Sequence, residues 1–483
     1  MPLDLLTELM ARATGRATYA EARWVDTVTE DLRVRNGRVD ELDRARATGL
    51  GVRVRVGGGW GFAATRDVTP AGAEAALTRA LAIAEAQPVG AERPLAPLDT
   101  PARGHWASPC EQDPFAIGLD DKLGLLLAAD AALRADPRIS VALSSVRARR
   151  IDKAFASTDG AACTQRVVQC GGGVHALAVD PATGEAQGRS YPTSHGGLVA
   201  QAGWEHVLGL DLVGHAARVG SEAVELLTAP PCPETTTTLV LHPEQLALQI
   251  HESIGHALEL DRILLGEASY AGESWVTQER LGDLRYGSEQ LSITADATLP
   301  GGLGSFGWDD EGVAAARTPL IVAGALRGTL SNRESAAAVG LPRSGGCARA
   351  EGFARQPIVR MTNVSIEPGD AGSLEDLIAA TDRGLYLESN RSWSIDDHRL
   401  QFQFATEIAR EIRDGELGRL YRNPVYAGVT PRFWGSLDAV GSASSWALWG
   451  LTNCGKGEPG QVMEVSHGAA PARFRDVQIR AAA

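Results

Sequence analysis

Cysteine, lysine and long apolar segments are all scarce in this sequence of 483 residues. The scarcity of cysteine argues against a disulfide-rich secreted domain, and the scarcity of apolar segments argues against a helical membrane protein. Six cysteines in so long a chain do not amount to the disulfide framework of small secreted domains. No apolar run approaches the roughly 20 residues that a membrane-spanning helix needs. Only three lysines stand among the 46 basic residues, which indicates a coding bias more than a function.

Charge and the N-terminal residues exclude two further classes. A net charge of −14 argues against a nucleic-acid surface, because such a surface needs clustered cations. The segment Met1–Glu8 is acidic and predicts the start of an amphipathic helix. A signal peptide would show a basic region followed by an apolar core instead. We therefore expect a cytoplasmic protein that binds neither nucleic acid nor a membrane.

Periodicity predicts alternating helices and strands in the first half of the chain. The dipeptide Asn36-Gly37 between two short β-rich runs is a strong signal for a hairpin. Helices are predicted over 1–15, 70–87 and 119–135. Strands are predicted over Leu32–Arg35, Val39–Leu42, Gly51–Val56, Gly61–Ala64, Ile139–Ala148 and Arg166–Ala178.

Length and a proline cluster predict two domains. The chain is too long for one ordinary hydrophobic core. The segment 229–233 contains three prolines, which preclude both a helix and a central strand there. We predict an α+β protein in which residues 1–228 form an N-terminal domain with a mixed sheet and helices. Residues 229–483 are predicted to form a strand-rich domain that carries a metal-binding helix.

The run from His251 to His256 reads HExxxH and offers two imidazoles and a carboxylate, as a zinc hydrolase requires. On a regular α-helix, positions five apart diverge by about 140°, so both imidazoles cannot meet one metal. A one-residue π-type insertion around Ser253–Gly255 would bring them together. We expect this insertion, with Gly255 accepting the distortion.

The surroundings of this run favour a metal site without proving one. Thr235–Leu241 is predicted as a strand, and Pro243 suits the first position of the helix that follows. However, closely spaced histidines also occur as ordinary core or interface residues, and short motifs arise by chance. On the six residues alone, both interpretations stay open.

Beyond the histidines, four segments complete a pattern that extends over most of the chain. It resembles the TldD/PmbA family of zinc peptidases. The matching segments follow one another along the chain in the order expected for the family. They are Gly49–Val54, His251–Asp261, the acidic Asp309-Asp310-Glu311-Gly312, Arg360–Val364 and Cys454-Gly455-Lys456.

The resemblance implies a zinc ion held by His251, His256 and Cys454, with Glu252 as the general base. Cys454 is expected in a tight turn, where the charge of Lys456 would favour the thiolate. Metal-bound water activated by Glu252 would then hydrolyse small or unfolded peptides. The resemblance further implies a TldD-type active subunit, either as a homodimer or paired with a PmbA-type paralogue.

Further roles and other functions stay open at this point. Tyr386, His398 and His467 are candidate donors to the oxyanion, although each also suits a structural role. Glu259 and Asp261 are candidate partners that orient an imidazole. Two alternatives to a peptidase remain: a zinc hydrolase of a small non-peptide amide, and a regulatory or binding subunit with a vestigial site.

Overall fold

The computed structural model describes residues 1–87, 94–194, 196–265 and 272–481. Within these residues, helices pack against two large sheets, so the predicted α+β class is confirmed. None of the described helices combines the length and the apolar character needed to cross a membrane. The helices are α1 (Leu3–Ala13), α2 (Pro70–Glu85), α3 (Leu119–Leu133), α4 (Trp204–Gly209), α5 (Leu212–Leu226), α6 (Pro243–Ile250), α7 (Leu260–Ile263), α8 (Arg333–Ala338), α9 (Leu374–Ala379) and α10 (Thr430–Gly435).

The first sheet has eight strands in the order β3-β2-β1-β5-β6-β4, with β7 and β8 also paired to β6. Helices α1 and α2 share one apolar core with this sheet, and α3 and α5 share another. The strands are β1 (Tyr19–Arg35), β2 (Arg38–Val56), β3 (Gly59–Thr65), β4 (Arg103–Ala107), β5 (Ile139–Ser157), β6 (Ala162–Val179), β7 (Ala186–Tyr191) and β8 (Leu198–Ala200).

The predicted hairpin is confirmed, but its strands are much longer than predicted. Asn36 and Gly37 form the turn with φ of 49° and 75°, in the left-handed region that these two residues tolerate. Strand β2 runs without interruption through segments that were predicted as two strands. Its first half is largely exposed and charged, so it lacks the apolar alternation on which the prediction relied.

The second sheet contains a closed barrel. Strands β16, β9, β23, β19 and β17 pair in sequence, and β17 pairs back to β16. The strands of this half are β9 (Thr235–Leu241), β10 (Ile293–Asp296), β11 (Arg317–Val322), β12 (Ala325–Leu326), β13 (Ala348–Arg349), β14 (Ile358–Val359), β15 (Val364–Ile366), β16 (Arg383–Ile395), β17 (Gln401–Arg413), β18 (Glu416–Tyr421), β19 (Pro424–Val429), β20 (Leu437–Val440), β21 (Ala447–Lys456), β22 (Gln461–Ala469) and β23 (Ala472–Ala481).

Helix α6 follows the barrel strand β9 directly, as the sequence predicts. His242 is its N-cap, where Nδ1 accepts a hydrogen bond from the backbone N–H of Glu244 at 3.3 Å, and Pro243 occupies the first turn. Every residue of α6 is buried. The helix packs against β16 and against the β21–β22 hairpin, so its C-terminal end lies deep in the second half of the molecule.

Buried ion pairs join the two halves of the chain through the acidic segment that follows β10. Asp310 accepts hydrogen bonds from Lys153 on β5, at 3.1 Å and 3.3 Å. Glu311 accepts one from Arg53 on β2 at 2.7 Å. Burial raises the pKa of Asp309 well above its usual range, and the nearby Glu311 raises it further. The segment is therefore a structural joint between the halves.

Arg189 on β7 forms a second joint, against the barrel. Its side chain is 1% exposed and donates to Glu407 on β17 and Ser389 on β16, at 2.9 Å and 2.8 Å. It also pairs with Glu388 on β16, and with Glu222 on α5 at 2.9 Å. One guanidinium thus compensates several carboxylates where the first sheet meets the barrel.

Replacing Arg189 with Met should lower the free energy of unfolding by about 3–5 kcal/mol, because Glu388 and Glu407 lose their shared cation. Chemical denaturation measures this loss. As a control, Arg218→Met breaks a pair with Glu222 in which the arginine is 44% exposed, and it should cost at most about 1 kcal/mol. Equal losses in the two variants would contradict the role of Arg189 as a joint.

Candidate metal centre

The helix that carries the HExxxH run is widened where the run begins. Helix α6 passes into a π-helical turn over His251–Gly255, in which the backbone N–H of His256 donates to the carbonyl of His251. This i→i+5 bond brings the two imidazole rings together, with their centroids 4.8 Å apart. The predicted π-type insertion is confirmed.

Gly255 lies in the widened turn, where its lack of a side chain matters for close packing. Its φ of −54° is ordinary for a helix. A Cβ at this position would lie only 2.1 Å from the Sδ of Met361. The absence of a side chain therefore lets the widened turn press against Met361, just ahead of β15.

Ser253 at the centre of the π turn is held by aromatic residues far away in the sequence. The hydroxyl of Tyr286 donates to its backbone carbonyl at 2.5 Å, and Trp434 Nε1 donates to its Oγ at 2.9 Å. Ser253 Oγ in turn donates to the carbonyl of Gln249 at 2.6 Å. These bonds satisfy polar groups in a fully buried stretch of irregular helix. No local sequence signal identifies Tyr286 or Trp434.

Cys454 reaches the histidines from strand β21. The predicted tight turn is wrong: a shift in the register of β21 with β22 between Leu451 and Cys454 redirects the strand instead. The Sγ atom lies 3.5 Å from Nε2 of His256. The ligand atoms of His251, His256 and Cys454 all lie within 4.8 Å of one another, and all three residues are buried.

The hydrogen bonds behind His251 fix which of its ring nitrogens carries the proton. Nδ1 of His467 lies 2.7 Å from the carbonyl of Val364, which can only accept, so this nitrogen is the donor. Nε2 of His467 must then accept, and it lies 2.8 Å from Nδ1 of His251. His251 therefore donates through Nδ1 and keeps the lone pair on Nε2 for a ligand.

His256 is oriented in the same way by a carboxylate. Its Nδ1 lies 3.0 Å from Oε2 of Glu259, which leaves Nε2 towards Cys454. Glu259 also accepts from Arg262 at 2.6 Å and lies 3.4 Å from the ammonium of Lys456. The predicted contact of Glu259 with an imidazole is therefore present, and it is the contact by which a carboxylate would orient a histidine that binds a metal.

Asp261 does not contact an imidazole. Its carboxylate accepts from Lys456 Nζ at 2.8 Å to both oxygens, so it holds the lysine that approaches Glu259. Lys456 therefore pairs with the acidic groups. The expectation that its charge is the main influence on the thiol of Cys454 is wrong. Burial raises the pKa of Cys454, but His256 and Arg360 outweigh that effect and lower it to about 7.

Burial favours the neutral form of both imidazoles. Burial lowers the pKa of His251 to about 4, and burial also lowers the pKa of His256. A neutral imidazole with a free nitrogen and a thiol that ionises near neutrality form the donor set that zinc prefers. Tetrahedral zinc separates its ligand atoms by about 3.3–3.8 Å; the 3.5 Å between Cys454 and His256 lies in this range, whereas the limit of 4.8 Å for all three atoms is wider.

Glu252 lies beside this cluster with an arginine as its partner. Nη1 of Arg399 donates to Oε2 of Glu252 at 2.6 Å, and both side chains are at most 10% exposed. They open on a cavity of about 290 Å³. Its described lining consists of Leu248, His251, Glu252, His256, Trp393, Arg399, Leu451, Asn453, Cys454 and Gly455.

The three candidate oxyanion donors lie elsewhere. Tyr386 donates to Glu388 at 2.8 Å, close to the Arg189 joint. The side chain of His398 is 60% exposed and lies 3.6 Å from Glu273. His467 stands behind His251, as described above. None of the three lines the described part of the cavity, whereas Arg399 and Trp393, which the sequence did not single out, do.

With this fold and cluster established, comparison with known proteins defines the class. Family models for the PmbA/TldA metallopeptidases match in order: domain 1 over residues 20–84, the central domain over 112–229 and the C-terminal domain over 234–481. The C-terminal model covers more than half of the chain and contains the whole histidine–cysteine cluster. The chain therefore belongs to the PmbA/TldD metallopeptidase family.

Individual relatives agree with this assignment. A metalloprotease of Methanothermobacter thermautotrophicus is 30% identical over 99% of this chain and 98% of its own length. A zinc metalloprotease TldD homolog of Saccharolobus solfataricus is 27% identical over 50% of this chain and 51% of its own. The crystal structure of TldE from Thermococcus kodakarensis has the same fold, with a TM-score of 0.74 at 16% identity over 98% of this chain and 99% of that one.

Replacing His467 with Leu should lower zinc affinity about 10–100-fold, because His251 loses the acceptor that fixes its tautomer. Competition with a chromophoric chelator measures the affinity. The exposed His398, changed to Leu, is the matched control and should leave zinc affinity unchanged. Equal affinity in the two variants would show that His467 does not position His251.

Gly255→Ala should reduce both zinc affinity and stability, the latter by about 1–3 kcal/mol, because the new methyl group overlaps Met361. Adding Met361→Ala should restore part of both losses by making room. Denaturation curves and zinc titration of the single and double variants measure this coupling. Gly124→Ala in α3 meets no neighbour within 4 Å and should not destabilise the protein. Strictly additive effects at Gly255 and Met361 would contradict the packing argument.

Proposed function

We propose that this protein is a zinc-dependent peptidase that hydrolyses small or unfolded peptides. His251, His256 and Cys454 are the proposed zinc ligands, and Glu252 is the proposed general base. The observation that carries the proposal is the convergence of the three ligand atoms, within 4.8 Å of one another, beside Glu252 in one cavity. Membership of a metallopeptidase family and the names of its relatives support it.

When bound, zinc would polarise the scissile carbonyl and lower the pKa of a coordinated water. The protein's own residues do the remaining work. Glu252 accepts a proton from the attacking water and returns it to the leaving amine. His467 and Glu259 hold the two imidazoles in the tautomers that expose Nε2. Leu248 and Leu451 give the cavity apolar walls, which strengthens electrostatic interactions inside it.

We further propose that the chain is a TldD-type active subunit. Its two histidines and cysteine converge, and Glu252 lines the same cavity, which favours an active subunit over one with a vestigial site. A homodimer and a heterodimer with a PmbA-type paralogue both remain compatible with this proposal. We also propose a cytoplasmic location, because a thiolate ligand such as the one proposed at Cys454 favours a reducing compartment.

One pair of variants separates metal binding from catalysis. Wild type purified without added metal should contain about one zinc per chain and cleave a peptide library, as read by mass spectrometry. Cys454→Ala should lose most of the zinc. Glu252→Gln should keep the zinc while kcat falls at least about 100-fold, because only the base is removed.

The other outcomes identify the alternatives. Zinc with hydrolysis of small amides but not of peptides would indicate the non-peptide hydrolase. Folded protein with neither zinc nor hydrolysis would indicate the regulatory or binding subunit. Full zinc in Cys454→Ala would remove this residue from the ligand set.

A further inference from the structure

Peptide hydrolysis places a negative charge on the carbonyl oxygen, and that charge needs stabilisation in the transition state. This inference rests on the proposed function. A zinc ion held by two neutral imidazoles and one thiolate keeps one net positive charge, one fewer than a zinc ion held by three histidines. A thiolate ligand at Cys454 would therefore weaken the electrostatic help that the metal supplies. A second cation close to the reacting carbonyl would compensate for this loss.

Arg399 is placed to supply that cation. Among the described residues that line the cavity, it is the only lysine or arginine, and it shares the cavity with His251, His256 and Cys454. Its Nη1 lies 2.6 Å from Oε2 of Glu252, so the guanidinium already contacts the group that takes up the reacting proton. Its side chain is 10% exposed, which keeps its charge largely unscreened by solvent.

The backbone holds Arg399 in this position at a conformational cost. Its φ is 61°, in the left-handed region that a side chain with a Cβ rarely adopts. Its N–H donates to the carbonyl of Asp396 at 2.9 Å, and its carbonyl accepts from the hydroxyl of Thr430 at 2.8 Å. Strained residues that the surrounding structure holds in place concentrate at functional sites. The strain here directs the side chain of a loop residue towards the cavity.

We propose that Arg399 is a catalytic residue that stabilises the developing oxyanion. Before the reaction, its guanidinium donates to Glu252 and orients the carboxylate. As the water oxygen bonds to the carbonyl carbon, the water gives its proton to Glu252, and negative charge grows on the carbonyl oxygen. The guanidinium, with five N–H donors in a planar fork, then donates to that oxygen. When the C–N bond breaks, Glu252 passes the proton to the amine and the charge on the oxygen disappears.

The other polar donors along the cavity suit this role less well. The amide of Asn453 and the indole of Trp393 are neutral, whereas charge-assisted hydrogen bonds are about twice as strong as neutral ones. Arg399 also contacts Glu252, so it can link proton uptake by Glu252 to the growth of negative charge on the carbonyl oxygen.

Arg399→Gln tests the proposal through transition-state binding. We expect kcat to fall about 100–1000-fold while KM changes by less than about threefold and zinc content stays at the wild-type level. The affinity for a phosphinic tripeptide, whose charged tetrahedral phosphorus group mimics the transition state, should fall by a similar factor in calorimetry. Arg399→Lys should recover part of both losses. His398→Ala in the same loop is the control and should behave as wild type.

Arg399→Gly is a second variant that tests the same role and should fold, because glycine adopts the positive φ at this position without strain. Added guanidinium chloride at millimolar concentration should raise the kcat of this variant towards wild type, and should leave Arg399→Lys unaffected. Wild-type kcat and phosphinate affinity in Arg399→Gln, or no rescue of Arg399→Gly, would overturn the proposal. A wild-type enzyme that binds zinc but cleaves no peptide would instead refute the proposed function, and this inference with it.

Discussion

The geometry of two imidazoles five residues apart is the constraint on which the rest of the site depends. A regular α-helix would direct His251 and His256 to different sides, and the i→i+5 bond of the π turn removes this conflict. A π turn is not stable by itself, so the surrounding structure must hold it. Gly255 lets the turn approach Met361, and the hydroxyl of Tyr286 satisfies a carbonyl within the turn.

Around this turn, a chain of buried hydrogen bonds sets the chemistry of the donors. His467 and Glu259 each occupy the Nδ1 of one imidazole, so each ring presents Nε2. Burial favours the neutral form of both rings, while His256 and Arg360 lower the pKa of Cys454 to about 7. An unpaired polar group in such buried surroundings costs free energy. The network therefore also favours this arrangement of side chains over alternatives that would break its hydrogen bonds.

The same use of buried charge joins the halves of the molecule. Arg189 links β7 to two strands of the barrel, and Asp310 and Glu311 link the second half of the chain to strands β5 and β2. Breaking such a pair is strongly destabilising, because the remaining partner is left as an unpaired charge in a poorly solvated region. The division of the chain into domains at residue 229 itself stays a prediction, as do the ligand roles in the metal centre.

The sequence alone determined the features that depend on neighbouring residues: the α+β class, the Asn36-Gly37 turn, the start of α6 at Pro243 and the need for a widened helix after His251. It underestimated β2, because an exposed and charged strand lacks the apolar alternation that reveals one. Only the tertiary structure decided which distant side chains meet the site. Arg399 lies 147 positions from Glu252 along the chain, and the pairing follows from how the barrel strands pack, which no local pattern encodes.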